Sequence, residues 1–276
     1  MTVAEPIAVR GAGFATPESV YHDPDQDYYL VSNINGAPLA EDDNGFISLV
    51  APDGRVLALK WIDGASDSVT LHAPKGMAMS DTDLFVADIT TIRRFDRKTG
   101  APRGEIPVPG ASFLNDLFIA RDGSLYITDS GLQAGPNGFE PSGTDAVYRL
   151  GLDGQLVTLL KGDSLGRPNG IAVSGDSIWV VSFGSGELYR VTPAGRADVT
   201  KLAKGSLDGL ILRDNEVFIS SWDGQAVYRG VPGGAMGEAV KGLVAPADIA
   251  LDAWRQRLLI PLFNDNELRI VPLTPW

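Results

Sequence analysis

One short motif recurs six times along the chain, and this repetition constrains the fold more than any other feature. Each copy comes shortly before a β-rich run, and successive copies are about 40 or about 55 residues apart. Units of about 40 residues with several short strands each are typical of the blades of a β-propeller. The copies are PESVYHD, PKGMAMS, LNDLFIA, PNGIAVS, LDGLILR and PADIALD. The sequence therefore predicts an all-β, six-bladed β-propeller.

The repeats predict how the ring is divided and closed within a single domain, 1–276. The last unit has room for only three strands, so we expect the N-terminal segment EPIAVR to add its outer fourth strand and cover an open sheet edge. Two repeats are long because they carry insertions, 34–46 and 131–145. The predicted blades are 17–62, 72–110, 112–163, 166–205, 206–243 and 244–276.

The amino-acid composition limits the classes of partner that the protein could bind. A net charge of −12 disfavours binding to nucleic acid or to anionic membranes, which require a basic surface, and no apolar run is long enough for a membrane-spanning helix. The absence of cysteine excludes disulfides and thiolate chemistry. The first residues show no basic segment followed by an apolar run, so we expect a cytoplasmic protein that acts on a small molecule. The oligomeric state stays open.

The repeated motif also places polar side chains around the central channel, because the first strand of each propeller blade lines it. Five of the six equivalent positions are polar or charged, and they supply two carboxylates and two amides but no sulfur or imidazole. Such a set suits Ca²⁺, Mg²⁺ or Mn²⁺ better than Zn²⁺. The alternative is a hydrogen-bonded plug in which Lys75 neutralises Glu18 or Asp208. The six ring residues are Glu18, Lys75, Asn115, Asn169, Asp208 and Ala247.

Three of the motifs also carry a family resemblance. The PES at 17–19, the RPNGIAVS at 167–174 and the LDGL at 207–210 resemble the signatures of the SMP-30/gluconolactonase/LRE family of six-bladed propeller lactonases. The resemblance implies one divalent ion, usually calcium, held by Glu18, Asn169 and Asp208. It also implies that Asp208 is the catalytic base and that Asn115 lies beside the substrate.

These residues suggest a metal-dependent hydrolase, a lactonase that opens a cyclic ester with metal-activated water at the mouth of the channel. Ca²⁺ is the expected cofactor, with Mg²⁺ and Mn²⁺ as alternatives. A cation polarises the lactone carbonyl while a carboxylate such as Asp208 takes a proton from water. The alternatives are a non-catalytic propeller that binds a ligand or a protein, and a phosphotriesterase-like or strictosidine-synthase-like propeller.

The substrate expectation rests on the mouth of the channel. Sugar-lactone hydrolases of the family often carry Arg two residues before the blade-3 Asn, where this chain has Phe113. The second strand of each blade returns to the same face as the ring, so its end should surround the site, with both insertions as lids. Those ends are Asn33, Ile89, Ser130, Phe183, Trp222 and Phe263.

From this placement we expect Lys75, Phe113, Phe183 and Trp222 to contact the substrate together with Asn115. A wall this apolar favours an aliphatic or aromatic lactone or ester over a sugar lactone. The two histidines, His22 and His72, fall outside the ring, and we expect both on the surface or in loops.

Overall fold

The computed structural model describes residues 5–273, which form six four-stranded antiparallel sheets and one two-stranded hairpin. The six sheets are arranged in a ring, so the predicted six-bladed propeller is confirmed. Residues 1–4 and 274–276, which include the end of the predicted last blade, lie outside the described residues. That all 276 residues form one domain therefore stays a prediction.

The strands are numbered in chain order and run from the centre of the ring outwards in each blade. The chain starts with β1 (Ile7–Val9), and blade 1 contains β2 (Pro17–Asp23), β3 (Tyr28–Asn33), β4 (Phe46–Val50) and β5 (Val56–Asp63). Blade 2 contains β6 (Pro74–Met79), β7 (Asp83–Asp88), β8 (Thr91–Asp96) and β9 (Pro102–Pro107). Blade 3 contains β10 (Leu114–Ile119), β11 (Leu125–Asp129), β14 (Ala146–Leu150) and β15 (Leu156–Lys161), with β12 (Leu132–Gly135) and β13 (Gly138–Pro141) as an inserted hairpin.

The second half of the ring repeats this order. Blade 4 contains β16 (Pro168–Ser174), β17 (Ser177–Ser182), β18 (Glu187–Thr192) and β19 (Gly195–Lys201). Blade 5 contains β20 (Leu207–Arg213), β21 (Glu216–Ser221), β22 (Ala226–Gly230) and β23 (Met236–Lys241). Blade 6 contains β24 (Ala250–Asp252), β25 (Arg257–Leu262) and β26 (Glu267–Pro272), and a single turn of 3₁₀ helix (Asp163–Leu165) precedes blade 4.

The N-terminal segment closes the ring as predicted. Strand β1 pairs antiparallel with β26 in the register Ile7 with Ile270 and Val9 with Leu268, and it is the outer strand of blade 6. At the centre, the amide of Asp248 donates to the carbonyl of Glu18 at 2.9 Å, which joins blade 6 to blade 1. The first and last blades therefore meet at both the rim and the channel.

The hydrophobic core is divided among the six interfaces between blades. Each of six clusters of buried side chains is shared by two neighbouring blades. Leu30 of blade 1 packs with Met77 of blade 2, and Val9 of β1 packs in one cluster with Tyr29 and Leu268. Burial of one such side chain contributes about 1.5–3 kcal/mol, so these interfaces stabilise the ring.

The inner strands of blades 1 to 5 are irregular where the ring residues lie. A bulge in a strand changes the direction of a side chain, and bulges are common beside functional sites. In β10 the irregularity brings Asn115 to the cavity, while the next residue, Asp116, accepts a hydrogen bond from the amide of Ile171 in the neighbouring blade. The register shifts lie between Pro17 and Ser19, Pro74 and Met77, Leu114 and Leu117, Pro168 and Ile171, and Leu207 and Leu210.

Glycine follows three of the ring residues because neighbouring inner strands are too close for a side chain. A Cβ atom at Gly170 would lie 2.4 Å from the carbonyl oxygen of Asp208, and one at Gly209 would lie 2.4 Å from the amide nitrogen of Ile249. At Gly76 the nearest atoms belong to Asp116. These contacts agree with the close backbone approach expected from the sequence.

The expectation for His22 was wrong. His22 lies in β2 and is 9% exposed, with its ring centroid 5.4 Å from that of Tyr29, because the inter-blade cluster extends to this end of the strand. His72 does lie in a loop, where its Nδ1 accepts a hydrogen bond from the amide of Asp43. No helix within 5–273 has the length and hydropathy needed to cross a membrane.

Candidate functional site

One cavity of about 340 Å³ lies at the channel mouth, and it brings together every residue predicted to hold the metal or to contact the substrate. Inner strands supply the polar floor, because the ring residues start the first strand of each blade. Strand ends and insertions supply the wall. The predicted residues in the lining are Glu18, Lys75, Phe113, Asn115, Asn169, Phe183, Asp208 and Trp222. The further lining residues are Ile34, Pro38, Ser130, Leu132, Phe139, Arg167 and Phe263.

The ends of the second strands reach this cavity in four blades of the six. The residues that line it are Ser130, Phe183, Trp222 and Phe263. The Trp222 ring contacts those of Phe183 and Phe263, with centroids 5.4 and 5.0 Å away. The ends of the other two second strands, Asn33 and Ile89, lie outside the cavity lining, contrary to the expectation.

Asn33 is fully buried and its side chain contacts the amide of Ala15 and the hydroxyl of Ser48. Ile89 packs against Ile34 and Ala73 behind the cavity wall. Its φ of 57° places it in a turn directly after β7. Neither lines the cavity. The alignment of the repeats located the strand ends correctly, but it could not show which way each side chain turns.

Both insertions lie at the cavity, as expected for lids. Ile34 and Pro38 of the first insertion line it, and so do Leu132 and Phe139 of the hairpin β12–β13. Phe139 is 50% exposed, and its ring contacts Phe113 with centroids 5.9 Å apart. The lids therefore extend the apolar wall outwards from the ring.

Two polar side chains of the floor are oriented by neighbours in their own blades. The indole N–H of Trp222 donates to Oδ2 of Asp208 at 2.8 Å, so Oδ1 of the carboxylate stays free. The amide Nδ2 of Asn115 donates to the hydroxyl of Ser130 at 2.9 Å, and that hydroxyl donates to the carbonyl of Pro168 at 2.6 Å. This network leaves Oδ1 of Asn115 without a hydrogen bond.

Four buried oxygens of the floor have no hydrogen-bond partner. Buried polar atoms are nearly always paired, so four unpaired oxygens in one cavity require an explanation such as a bound ion. Carboxylate and amide oxygens are ligands of Ca²⁺ and Mg²⁺, so the residues present fit a hard divalent cation. The atoms are Oε2 of Glu18, Oδ1 of Asn115, Oδ1 of Asn169 and Oδ1 of Asp208.

This donor set differs from an acid-rich metal site. Within residues 5–273, no group of three or more Asp, Glu and His side chains is arranged to hold a metal ion. Glu18 and Asp208 are the only carboxylates that line the cavity among the described residues, and the two asparagines complete the set. A metal here would depend on amide oxygens, which favours Ca²⁺ over Zn²⁺.

Burial, together with neighbouring negative charge, raises the pKa values of the carboxyl groups Glu18 and Asp208 at the centre. Burial raises the pKa of Glu18 well above its usual range, and the charges of Asp208 and Asp248 raise it further. Burial, followed by the charge of Asp248, also raises the pKa of Asp208, while the bond from Trp222 lowers it. In the absence of a cation the floor therefore favours protonated carboxyl groups.

Two further acids, which the sequence analysis did not identify, lie next along the inner strands. Asp116 and Asp248 directly follow the ring residues Asn115 and Ala247, and burial raises the pKa of Asp248 to about 7. The hydroxyl of Ser19 donates to Asp248 at 2.5 Å. The signal was visible as an acidic residue after each ring position in LNDLF and PADIA.

Lys75 does not form the ion pair with Glu18 or Asp208 that the alternative of a polar plug requires. Its ammonium donates to the carbonyls of Pro38 and Ala73 at 3.0 and 2.9 Å, and it lies 4.5 Å from the ring centroid of Phe113. Burial lowers the pKa of Lys75 to about 8, and the charge of Glu18 opposes this effect. Within the described chain, Lys75 ties the first insertion to blade 2.

Solved structures of several enzymes share this fold. A gluconolactonase from Xanthomonas campestris matches with a TM-score of 0.72 at 21% identity, and the match covers 99% of this chain and 91% of that one. A virginiamycin B lyase from Staphylococcus aureus matches with a TM-score of 0.66 at 13% identity, over 98% and 99%. For a luciferin-regenerating enzyme the TM-score is 0.66 at 14% identity, over 97% and 95%.

The comparisons establish the fold and leave the activity to be argued from the site. A scan against models of protein families gives no match, and a search of curated proteins gives none either. The resemblance of the motifs to the SMP-30/gluconolactonase/LRE family is therefore supported by three-dimensional structure and not by a family model. What the structural similarity shows for this chain is the fold, a six-bladed propeller.

We expect the metal-free protein to lose stability as the pH rises. The pKa of Asp248 is raised on folding from its ordinary value of 3.8 to about 7, and those of Glu18 and Asp208 are raised too. A raised carboxyl pKa contributes stability at low pH that is lost as the pH rises through the folded-state value. In chelator, the Tm should therefore fall by on the order of 5 °C between pH 5.5 and pH 8.

Scanning calorimetry with EDTA and with Ca²⁺ tests this expectation. A cation bound by Glu18 and Asp208 favours their charged forms, so Ca²⁺ should raise the Tm at pH 8 and remove most of the pH dependence. A Tm in EDTA that is equal or higher at pH 8 would contradict it.

Proposed function

We propose that the protein is a divalent-metal-dependent lactonase that opens a cyclic ester at the mouth of the propeller channel. The observation that carries the proposal is the set of four buried, unpaired oxygens in one largely apolar cavity. Such a cavity with a few convergent polar groups is typical of a small-molecule site. The gluconolactonase among the structural neighbours supports the choice of reaction class.

Glu18, Asn169 and Asp208 would hold the cation, with Asn115 beside it. Each supplies an oxygen that no other described group contacts. When bound, the cation would polarise the lactone carbonyl and stabilise the negative charge that develops on its oxygen. Ca²⁺ is the proposed ion because amide oxygens belong to its common ligands, and Mg²⁺ or Mn²⁺ are alternatives.

Asp208 is the proposed general base. Trp222 holds Oδ2 of its carboxylate, so Oδ1 is directed to the cavity in a fixed orientation. Asp208 takes a proton from water while the water oxygen forms a bond to the carbonyl carbon. The ring C–O bond then breaks, and the proton passes from Asp208 to the leaving alkoxide, which gives a hydroxy acid.

The apolar wall favours a substrate with few hydroxyl groups. Phe113, Phe183, Trp222 and Phe263 line the cavity, and few neutral hydrogen-bonding side chains stand beside them. A hydroxyl buried against such a wall without a partner costs free energy. We therefore propose an aliphatic or aromatic lactone as the substrate.

A lactone panel tests both parts of the proposal. Acid release is followed in a pH-stat with aliphatic, aromatic and sugar lactones, each with added Ca²⁺, Mg²⁺, Mn²⁺ or Zn²⁺ and with EDTA. We expect kcat/KM for the best aliphatic or aromatic lactone to exceed that for gluconolactone by about 10-fold or more, with loss of activity in EDTA. Full activity in EDTA would contradict metal dependence, and preference for gluconolactone would contradict the substrate class.

The alternatives have less support. A non-catalytic propeller predicts Lys75 paired with Asp208, whereas the Lys75 ammonium contacts two carbonyls instead. In the virginiamycin B lyase among the neighbours, replacement of a histidine by alanine gives a catalytically inactive protein. Neither His22 nor His72 lines the cavity described here.

A further inference from the structure

One residue in the lining of the cavity, Arg167, carries a guanidinium that has no partner among the described residues. It lines the same cavity as the ring residues, and its side chain forms no hydrogen bond or ion pair with any described residue of 5–273. Only its backbone is engaged, since its amide donates to Asp145 at 2.6 Å and its carbonyl accepts from the amide of Phe183 at 2.9 Å. A cation that lines a ligand cavity without a counter-charge is available to bind an anion.

The position of Arg167 is fixed by its surroundings. Its φ of 62° is unusual for a residue with a side chain, and the two backbone hydrogen bonds stabilise this conformation. The side-chain stem lies against Gly184, where an added Cβ would be 3.0 Å from Cδ of Arg167 and 3.1 Å from its Cγ. The backbone of Arg167 is therefore fixed beside the cavity, its side-chain stem lies against Gly184, and no described group binds the guanidinium elsewhere.

The charges around the cavity favour an anionic ligand. The lining contains two carboxylates, Glu18 and Asp208, and two cations, Lys75 and Arg167, so a bound divalent cation gives a positive balance. Lys75 already donates to two carbonyls. On its other side, Arg167 borders a second cavity with Asp145 and Asp163, and neither forms an ion pair with it.

We infer that Arg167 binds a carboxylate carried by the substrate. This inference rests on the proposed lactonase function and narrows its substrate to a lactone with an apolar body and one carboxylate group. The planar guanidinium matches a carboxylate with two parallel hydrogen bonds, which are strong where water is excluded. The apolar side chains of Leu132, Phe139 and Phe183 line the same cavity and would contact the body.

A binding experiment tests Arg167 without requiring catalysis. Calorimetry in EDTA, which prevents contact between a carboxylate and a metal ion, compares phenylacetate with the isosteric neutral phenylacetamide. We expect the wild-type protein to bind phenylacetate at least about 10-fold more tightly, and Arg167→Met to raise its Kd by about 10- to 100-fold while the amide is unaffected. Arg167→Lys keeps the positive charge but loses the two parallel N–H donors of the guanidinium. Its Kd for phenylacetate should therefore lie between those of the wild type and Arg167→Met.

The matched control is Arg121→Met. Arg121 lines a separate cavity, beyond the opposite end of β10 from Asn115, so its replacement should leave the Kd for phenylacetate unchanged. Equal phenylacetate affinity in the wild type and Arg167→Met would overturn the inference. So would equal losses for acid and amide, which would show a structural role, and the Tm of each variant reports on folding.

A catalytic experiment separates this inference from the proposed function. The substrates are 5-oxotetrahydrofuran-2-carboxylate and its carboxamide, two lactones that differ only in charge. With Ca²⁺, Arg167→Met should lower kcat/KM for the carboxylate by about 10- to 100-fold and leave the carboxamide within about two-fold. Carboxylate binding that depends on Arg167 without any lactone hydrolysis would refute the lactonase and support the anion site. If the wild type and Arg167→Met hydrolyse both lactones at equal rates, the result would support the lactonase and refute the anion site.

Discussion

Replacing Asp208 by Asn is expected to lower kcat/KM by roughly 10³-fold and to weaken divalent-cation binding at the same time. The change keeps the size of the side chain and an oxygen for the Trp222 indole, but it removes the proposed base and one negative charge. Asp208 is buried with a raised pKa, and its charge also raises the pKa of Glu18, so the variant should have a higher Tm than the wild type in EDTA at pH 8.

Steady-state kinetics, calorimetry with Ca²⁺ and thermal unfolding measure these three effects. The matched control is Asp223→Asn, because Asp223 is exposed in the same blade and its carboxylate contacts Ser206 rather than the cavity. The control should stay within about two-fold of the wild type. Wild-type cation affinity in Asp208→Asn would show that Asp208 is not a ligand.

Replacing Gly209 by Ala is expected to destabilise the fold by about 3 kcal/mol or more, which lowers the Tm by on the order of 10 °C. The new methyl group would lie 2.4 Å from the amide nitrogen of Ile249 and 2.9 Å from Cα of Asp248. Both are backbone atoms of the segment that leads into β24 of the next blade, so relief of the clash requires blades 5 and 6 to move apart.

Thermal and urea unfolding of the variant measure the loss. Gly154→Ala is the control, because a Cβ there meets no atom within 4 Å and only the positive φ of 78° opposes it. That strain costs about 1 kcal/mol. Gly209 has no positive φ, so a loss there of about 1 kcal/mol or less would show that the close packing of the inner strands does not decide the effect.

Much of this architecture could be predicted because the repeats relate residues that are far apart in the chain. Equivalent motifs must take equivalent places in a propeller, so Glu18 and Asp208, far apart in the chain, could be assigned to one ring from the amino-acid sequence alone. The closing strand β1 followed from the missing fourth strand of the last blade. The same logic could locate strand ends, although Asn33 and Ile89 turn away from the cavity.

The details of the site could not be predicted, because they depend on contacts between different blades. The carbonyl of Pro38 that holds the Lys75 ammonium belongs to an insertion with no equivalent in other repeats. The bond from Ser19 to Asp248 joins residues 229 positions apart. The free guanidinium of Arg167 is visible only as the absence of a partner, which a sequence pattern cannot show.

The closure of the ring at the junction of the first and last blades also bears on when the protein becomes active during its synthesis. Glu18 is made well before Asp248, the residue whose backbone amide donates to the Glu18 carbonyl across the junction. A nascent chain with five finished blades still lacks the strand that brings the first blade beside the sixth. Domains generally fold as units as the chain emerges, and long-range pairing of this kind is slow. The proposed cation site should therefore form only after blade 6 has been made, and not gradually as each blade is completed.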